Sequence, residues 1–249
     1  MTSLIQPSLS GGELAPSLHA RVDLAKYQTG LKTCLNTITM AHGGASNRPG
    51  FQYICEVKDS SKAVRLIPFE FSSGSTIGQT YILEFGNLYM RVIKDGGQVL
   101  EANKTISGAT QANPVVVTAT SHGYTNGQEV FISGVVGMTE LNGKNYKVAG
   151  VTTHTFQLQD MTSTNVNGTG YTAYGSAGTA ARVFTLTTPY TEAQLFRLKY
   201  AQSADVLTVC HPSHAPRDIT RTDHAAWTIS TITFAPTQAA PTSASGTAN

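Results

Sequence analysis

Charge is scarce in this chain. Only 13% of its 249 residues are Asp, Glu, Lys or Arg, about half of the roughly 25% usual for soluble domains. Hydrophobic residues do not fill the gap, since they stand at 40%. Thr, Ser, Asn and Gly fill it. Such a composition suits β-structure, because Thr favours strands while Gly and Asn favour turns. It also suits a subunit largely covered by neighbours, because desolvating a hydroxyl costs far less than desolvating an ion.

Other absences narrow the function. The three cysteines, Cys34, Cys55 and Cys210, are odd in number and not closely paired, which argues against a disulfide framework. They fit reduced thiols and assembly in a cytoplasm. No apolar run approaches the about 18 residues of a membrane span. The opening "MTSLIQPSLSGGELAP" has neither the basic nor the apolar region of a secretory signal. A formal net charge of +2 with no Lys/Arg-rich run gives no case for a basic nucleic-acid-binding surface. There is no G-x-S-x-G, no H-E-x-x-H, no P-loop and no dinucleotide fingerprint. Acidic residues are scattered, so no carboxylate pair can be nominated. Neither an enzyme nor a cofactor is expected.

What is present alternates. "AVRLIPFEF", "TYILEFGN" and "LYMRVIKDGGQVLE" predict a β-meander from Ala63 onward. Tyr89, Arg91 and Ile93 should face one way, with Met90 and Val92 facing the other. Upstream, Pro16 to Gln28 predicts a short helix stopped by Gly30. "LKTCLNTITM" and "FQYICEV" predict strands on either side of a turn, "HGGASNRPG".

From about Gly108 to Ala181 the composition changes to Thr, Gly, Asn, Val and Ala. The strand candidates there are "PVVVTAT", "EVFISGV", "KNYKVAGVT", "TFQLQ" and "GYTAYG". Asn-Gly turns lie in "HGYTNGQ" and "LNGKN". This predicts a β-module inserted into the meander. "TEAQLFRLKYAQ" then predicts a helix with Thr191 as N-cap, Glu192 in its first turn, and Leu195 and Leu198 on one face. "DVLTVCH" predicts a buried strand, "PSHAPRD" a turn, and "AAWTISTITFAP" a final strand. The expected organisation is 1–106 as the first part of a platform domain, 107–182 as the insert, 183–236 as the platform's return, and 237–249 as a linker-like tail.

"CHPSHAPRDITRTDH" gathers Cys210, His211, His214 and His224. Structural zinc needs two ligand pairs. Cys210 and His214 have acceptable spacing, but the second pair is absent. Cys210 and His211 are neighbours on a strand and point to opposite faces. No metal site is expected, and Pro212 and Pro216 read as shaping a rigid turn. Arg217 and Arg221 straddle Asp218, and Arg48 sits in the turn "NRPGF". These three arginines are the candidate subunit contacts. Exposed pairs contribute at most about 1 kcal/mol, so a strong role would require burial.

Three stretches resemble the tail nozzle, or tail tubular protein, of short-tailed bacteriophages. They are "GGELAPSLHARVDLAKYQTGLKTCLN", "GGASNRPGFQYI" and "LKYAQSADVLTVCHPSHAPRDITRTDHAAWTI". The resemblance implies a mainly β virion subunit, a meander platform with one or two short helices, repeated as a ring of six around the tail axis. Its partners would be itself, neighbouring tail proteins on the portal side and among the fibres, and passing DNA without sequence recognition. It further implies the N-terminal part of a larger propeller-like protein, or a short relative. "NPVVVTATSHGYTNGQEVFISGVVGMTELNGKNYKVAGVTTHTFQLQD" resembles a small β-barrel module of phage structural proteins that is similar to a half-domain of ubiquitin-activating enzymes. It contains no cysteine, so ubiquitin chemistry is not implied. The rival expectation is an adhesin whose Tyr171 and Tyr174 meet a host glycan, with Tyr124 and Tyr146 as further aromatic candidates.

Overall fold

Period-2 alternation carries through into the architecture. The computed structural model describes residues 5–71 and 78–234, and the chain is mainly β. It divides into two compact units, Met1–Tyr53 and Ile54–Asn249. The expected linker-like tail, 237–249, lies outside the described residues, as do the last residues of the final strand candidate.

In the first unit, β1 (Gly12–Glu13) pairs in parallel with β2 (Gly30–Leu31). The strands β3 (Thr37–Thr39) and β4 (Ala45–Asn47) form an antiparallel hairpin. The expected helix over 16–28 is absent. Two 3-10 turns, Pro16–Leu18 and Ala25–Thr29, replace it, separated by Ala20 at φ 69°. A short helix does not repay its nucleation without an apolar face to bury, and Val22 is 71% exposed. The turn expected over "HGGASNRPG" is shorter than read, because Ala45–Asn47 continues as strand β4. No described residue of this unit is buried.

The second expected strand, "FQYICEV", does not form. Phe51 is 90% exposed, so its alternation covers nothing. The Glu56 carbonyl further along accepts a hydrogen bond from the Arg91 side chain rather than from a neighbouring strand.

The second unit begins with β5 (Arg65–Phe71), β6 (Gln79–Gly86), β7 (Tyr89–Lys94) and β8 (Gly97–Gln98). Next come β9 (Lys104–Thr105), β10 (Gly108–Ala109), β11 (Val116–Thr118), β12 (Glu129–Ser133), β13 (Lys144–Ala149), β14 (Thr155–Gln159) and β15 (Thr179–Arg182). It closes with β16 (Thr185–Thr187), β17 (Lys199–Ser203), β18 (Val206–His211), β19 (His214–Asp223) and β20 (Ala226–Thr231).

One platform sheet has the order β16-β7-β6-β5, with β8 paired to β7, and the other is the meander β17-β18-β19-β20. Asp95 and Gly96 turn the β7–β8 hairpin with φ of 51° and 77°, the positive values that this tight turn requires. The two sheets share one core. Ile67, Phe69, Tyr81, Leu83, Met90 and Val92 meet Leu207, Val209, Ile219 and Trp227. Met90 and Val92 thus face the core, while Tyr89 and Arg91 take the opposite face, as their alternation predicts.

The helix expected over "TEAQLFRLKYAQ" shrinks to a 3-10 turn, Glu192–Arg197, and its second half is strand β17. Arg65 Nη1 donates to the Leu195 and Leu198 carbonyls at 2.9 and 2.8 Å, ending the turn. Five residues of β17 then pair with β18, so strand pairing overrides helical propensity. The turn expected over "PSHAPRD" is only Pro212–Ser213, since β19 starts at His214. Pro216 falls where the β18–β19 register shifts, a place that tolerates a missing donor.

The inserted module is one curled antiparallel sheet of order β10-β11-β14-β13-β12-β15-β9. Its own core includes Val117, Val130, Ile132, Val148, Phe156 and Leu158. The strand expected at "GYTAYG" is absent, and only a bridge joins Val136 to Ser176. Here the chain is held by other groups. Glu140 Oε1 accepts from Thr172 N, and Gly175 N donates to the Val136 carbonyl. Gly137 has φ +92°, and a Cβ there would press into the Ala173 carbonyl oxygen and the Gly175 nitrogen. Gly137→Ala should therefore cost about 1–3 kcal/mol, read as a lower midpoint in urea unfolding.

Candidate functional site

Glu84 on β6 lies directly across from Arg91 on β7. On an exposed sheet face this pair would contribute little. Here Arg91 is completely buried and Glu84 is 2% exposed. Arg91 Nη2 donates to both Glu84 oxygens at 3.0 Å and to the Glu56 carbonyl at 2.8 Å. Arg91 Nη1 reaches Glu129 Oε2 on β12 of the inserted module at 2.6 Å. Tyr89 donates its hydroxyl to Glu84 at 2.7 Å, and Asn145 Nδ2 donates to Glu129 Oε1 at 2.8 Å. The guanidinium therefore joins the platform sheet to the module. Burial pushes the Glu129 carboxyl above its ordinary range, against the pull of Arg91.

A cavity of about 310 Å³ opens beside this joint. Lys58, Lys62, Asn87, Tyr89, Lys147 and Ser163 are among its lining residues. Lys58 Nζ stands 5.2 Å from the centre of the Tyr89 ring, and burial lowers its pKa. Lys147 Nζ donates to Ser163 Oγ at 3.2 Å. The lining carboxylate, Asp59, accepts from Ser61 N and Ser61 Oγ, and Ser61 holds it below the usual range. None of the three lysines forms an ion pair among the described residues. The arrangement can bind an anion. It offers no nucleophile paired with a base.

The residues nominated from sequence lie elsewhere. Arg48, in the first unit, is exposed, with Nε 3.3 Å from Asn36 Oδ1 and its guanidinium 4.5 Å over Phe51. Arg217 and Arg221 share a face of β19. Arg217 Nε is buried without a hydrogen-bond partner. Arg221 Nε donates to Asp205 Oδ1 at 2.8 Å, and its guanidinium lies 4.0 Å from the Phe71 ring centre. That charge is already matched within the chain.

Tyr171 and Tyr174 pack against the module core, and the Tyr174 hydroxyl is 2.9 Å from the Ile106 and Ala177 carbonyls. Tyr124 and Tyr146 are buried. The histidines take separate partners. His214 Nε2 meets Gln194 Oε1 at 2.9 Å, and His224 Nδ1 meets the Tyr81 hydroxyl at 2.7 Å. Among the described residues, no group of three or more His, Cys, Asp or Glu is placed to hold a metal ion.

The curled sheet, its separate core and its glycine-dependent loop define the module as a recognisable building block. Residues 112–183 match the ubiquitin-activating enzyme E1 FCCH domain family. No curated protein matches the chain. The FCCH-like segment begins before β11 and ends just after β15, so it includes Glu129 and Lys147. The joint and the cavity are therefore built where an FCCH-like module meets the platform sheet. Sequence reasoning missed this site because Lys58, Lys62, Arg91, Glu129 and Lys147 have no informative spacing. Only Arg91 gave a signal, as a charge inside the well-alternating strand "YMRVI".

Proposed function

We propose that this chain is a structural subunit of a bacteriophage tail, repeated as a ring around the channel through which DNA leaves. The resemblance of three sequence stretches to tail nozzle proteins supports the phage assignment and the ring of six. The observation that carries the subunit reading is the first unit's missing core. Residues 5–53 include no buried side chain, while Val22, Leu35 and Phe51 are 71%, 75% and 90% exposed. A segment of this size needs apolar burial to hold its backbone, and a neighbouring subunit would supply it. The stretch "GGELAPSLHARVDLAKYQTGLKTCLN" lies in this same unit. Near-neutral charge suits a conduit, since a strongly basic lumen would retain DNA by releasing its counterions. The FCCH-like module would sit on the outer face of the tail, where an insertion is tolerated and fibres or another tail protein can reach it.

Negative-stain images of the purified protein, with native mass spectrometry, test this reading. Rings with a central opening are expected. The double variant Leu35→Asp/Phe51→Asp should give monomers, because each carboxylate would be desolvated at the contact. The platform core should melt as before, since neither residue belongs to it. A wild-type protein that stays monomeric at all concentrations, or that images as a radial fibre, overturns the proposal.

A further inference from the structure

The geometry points to a phosphate-binding site in the cavity between the platform sheet and the FCCH-like module. Three lysines line one space of about 310 Å³, at the small end of ligand pockets. Its size suits a phosphate group on a small organic body. Lys58 comes from the segment before β5, Lys62 follows four residues later, and Lys147 comes from β13. Folding thus brings together like charges that repel one another, without an ion pair to any of them among the described residues.

Counter-charges are present nearby, none of them in ion-pair contact with these lysines among the described residues. Arg91, Glu84 and Glu129 sum to one negative charge, and Lys58 feels Glu129. That accounts for Lys58. Asp59, whose Oδ1 accepts from Ser61, lies near both Lys62 and Lys147. Glu129 is also the cross-strand neighbour of Lys147, and Glu192 Oε1 accepts from the nitrogen of Ala63, next in the chain to Lys62. The Ser163 hydroxyl can donate once it has accepted from Lys147. Asn87 Oδ1 accepts from Glu192 N, which leaves its amide N–H groups available.

Lysine is a compact point charge on a flexible stem, without the planar fork that arginine offers a carboxylate. A cluster of such charges favours a group carrying more than one negative charge, and a phosphate monoester carries about −1.5 to −2 at neutral pH. Tyr89 contributes the face of its ring, because its hydroxyl is committed to Glu84. The site therefore takes free phosphate or a small phosphate monoester. This inference does not depend on ring formation.

Calorimetric titration of the full chain with inorganic phosphate and with glycerol phosphate, at ionic strength fixed with sodium chloride, tests it. Saturable binding is expected. Lys62→Gln and Lys147→Gln should each weaken it about tenfold or more, the effect of removing one charge-assisted contact. Lys94→Gln is the control, because Lys94 pairs with Asp95 outside the cavity. Equal affinities for the two probes would identify a free-anion site. Tighter glycerol phosphate would place the organic part in the remaining volume. Absence of saturable heat, or unchanged binding in the Lys62→Gln/Lys147→Gln double variant with its melting curve intact, overturns the inference.

Discussion

Replacing Arg91 with methionine should lower the unfolding free energy by about 3–5 kcal/mol, the usual result of removing one partner from a buried ion pair. The side chain is fully buried, and its loss strands two carboxylates. Glu84 keeps the Tyr89 hydroxyl and Glu129 keeps Asn145, but neither partner supplies positive charge. Urea unfolding checks the magnitude. A second comparison separates the charge from the packing. Converting Arg91, Glu84 and Glu129 together to Met, Leu and Leu should recover most of the loss, because an apolar cluster carries no desolvation cost. If Arg91→Met alone were neutral, the network would contribute little to the joint. The predicted consequence is local as well as global. Hydrogen exchange should quicken first in β7 and β12, the strands that Arg91 and Glu129 occupy.

The pattern of expectations that fail follows from where each segment finds its partners. Strands with an apolar face were legible. "YMRVI" alternates because Met90 and Val92 fill a core while Tyr89 and Arg91 lie against other groups. Turns were legible where backbone sterics demand particular residues, as at Asn126–Gly127 and Asn142–Gly143, where the glycines take φ of 83° and 73°. The FCCH-like module was legible as a segment of its own kind, because its composition departs from that of its surroundings and residues 112–183 match that family. Helices were not. "TEAQLFRLKYAQ" has sound helical chemistry locally, yet Arg65, some 130 residues distant, takes the carbonyls that would extend the turn.

The candidate site was almost invisible for the same reason. Its groups come from the segment before β5, from β7 and from two strands of the inserted module. Each segment holds only part of the site, and no local window joins Lys58 and Lys62 to Arg91, Glu129 and Lys147. By contrast, the histidine-rich stretch looked informative because its residues are close in sequence. Folding sends His211 and His214 to one end of the β18–β19 hairpin and His224 to the β19–β20 turn.

Trp227→Ala should destabilise the platform by about 3–5 kcal/mol, at the upper end of core truncations. Trp227 is 4% exposed and stands between the two sheets. Its ring meets Phe69 edge-on at 4.9 Å and Tyr81 at 5.8 Å, contacts that add about 0.5–1.5 kcal/mol beyond area burial. Its Nε1 donates to the His224 carbonyl at 2.9 Å, which ties down the β19–β20 turn. Alanine removes all three interactions and leaves a void that rigid strands on both sides cannot close. Phenylalanine should cost less, because it restores much of the volume while abandoning the hydrogen bond. Both variants lack the indole nitrogen, so the loss in Trp227→Phe sets an upper limit on the hydrogen bond's contribution and the difference between the two reports the packing. Far-UV circular dichroism in urea reads the loss, and hydrogen exchange distinguishes this site from the joint. Trp227→Ala weakens the sandwich core and should leave the curled sheet of the FCCH-like module protected longest, whereas Arg91→Met loosens the contact between them. If Trp227→Ala left the urea midpoint unchanged, the two platform sheets would not share the single core that this packing requires.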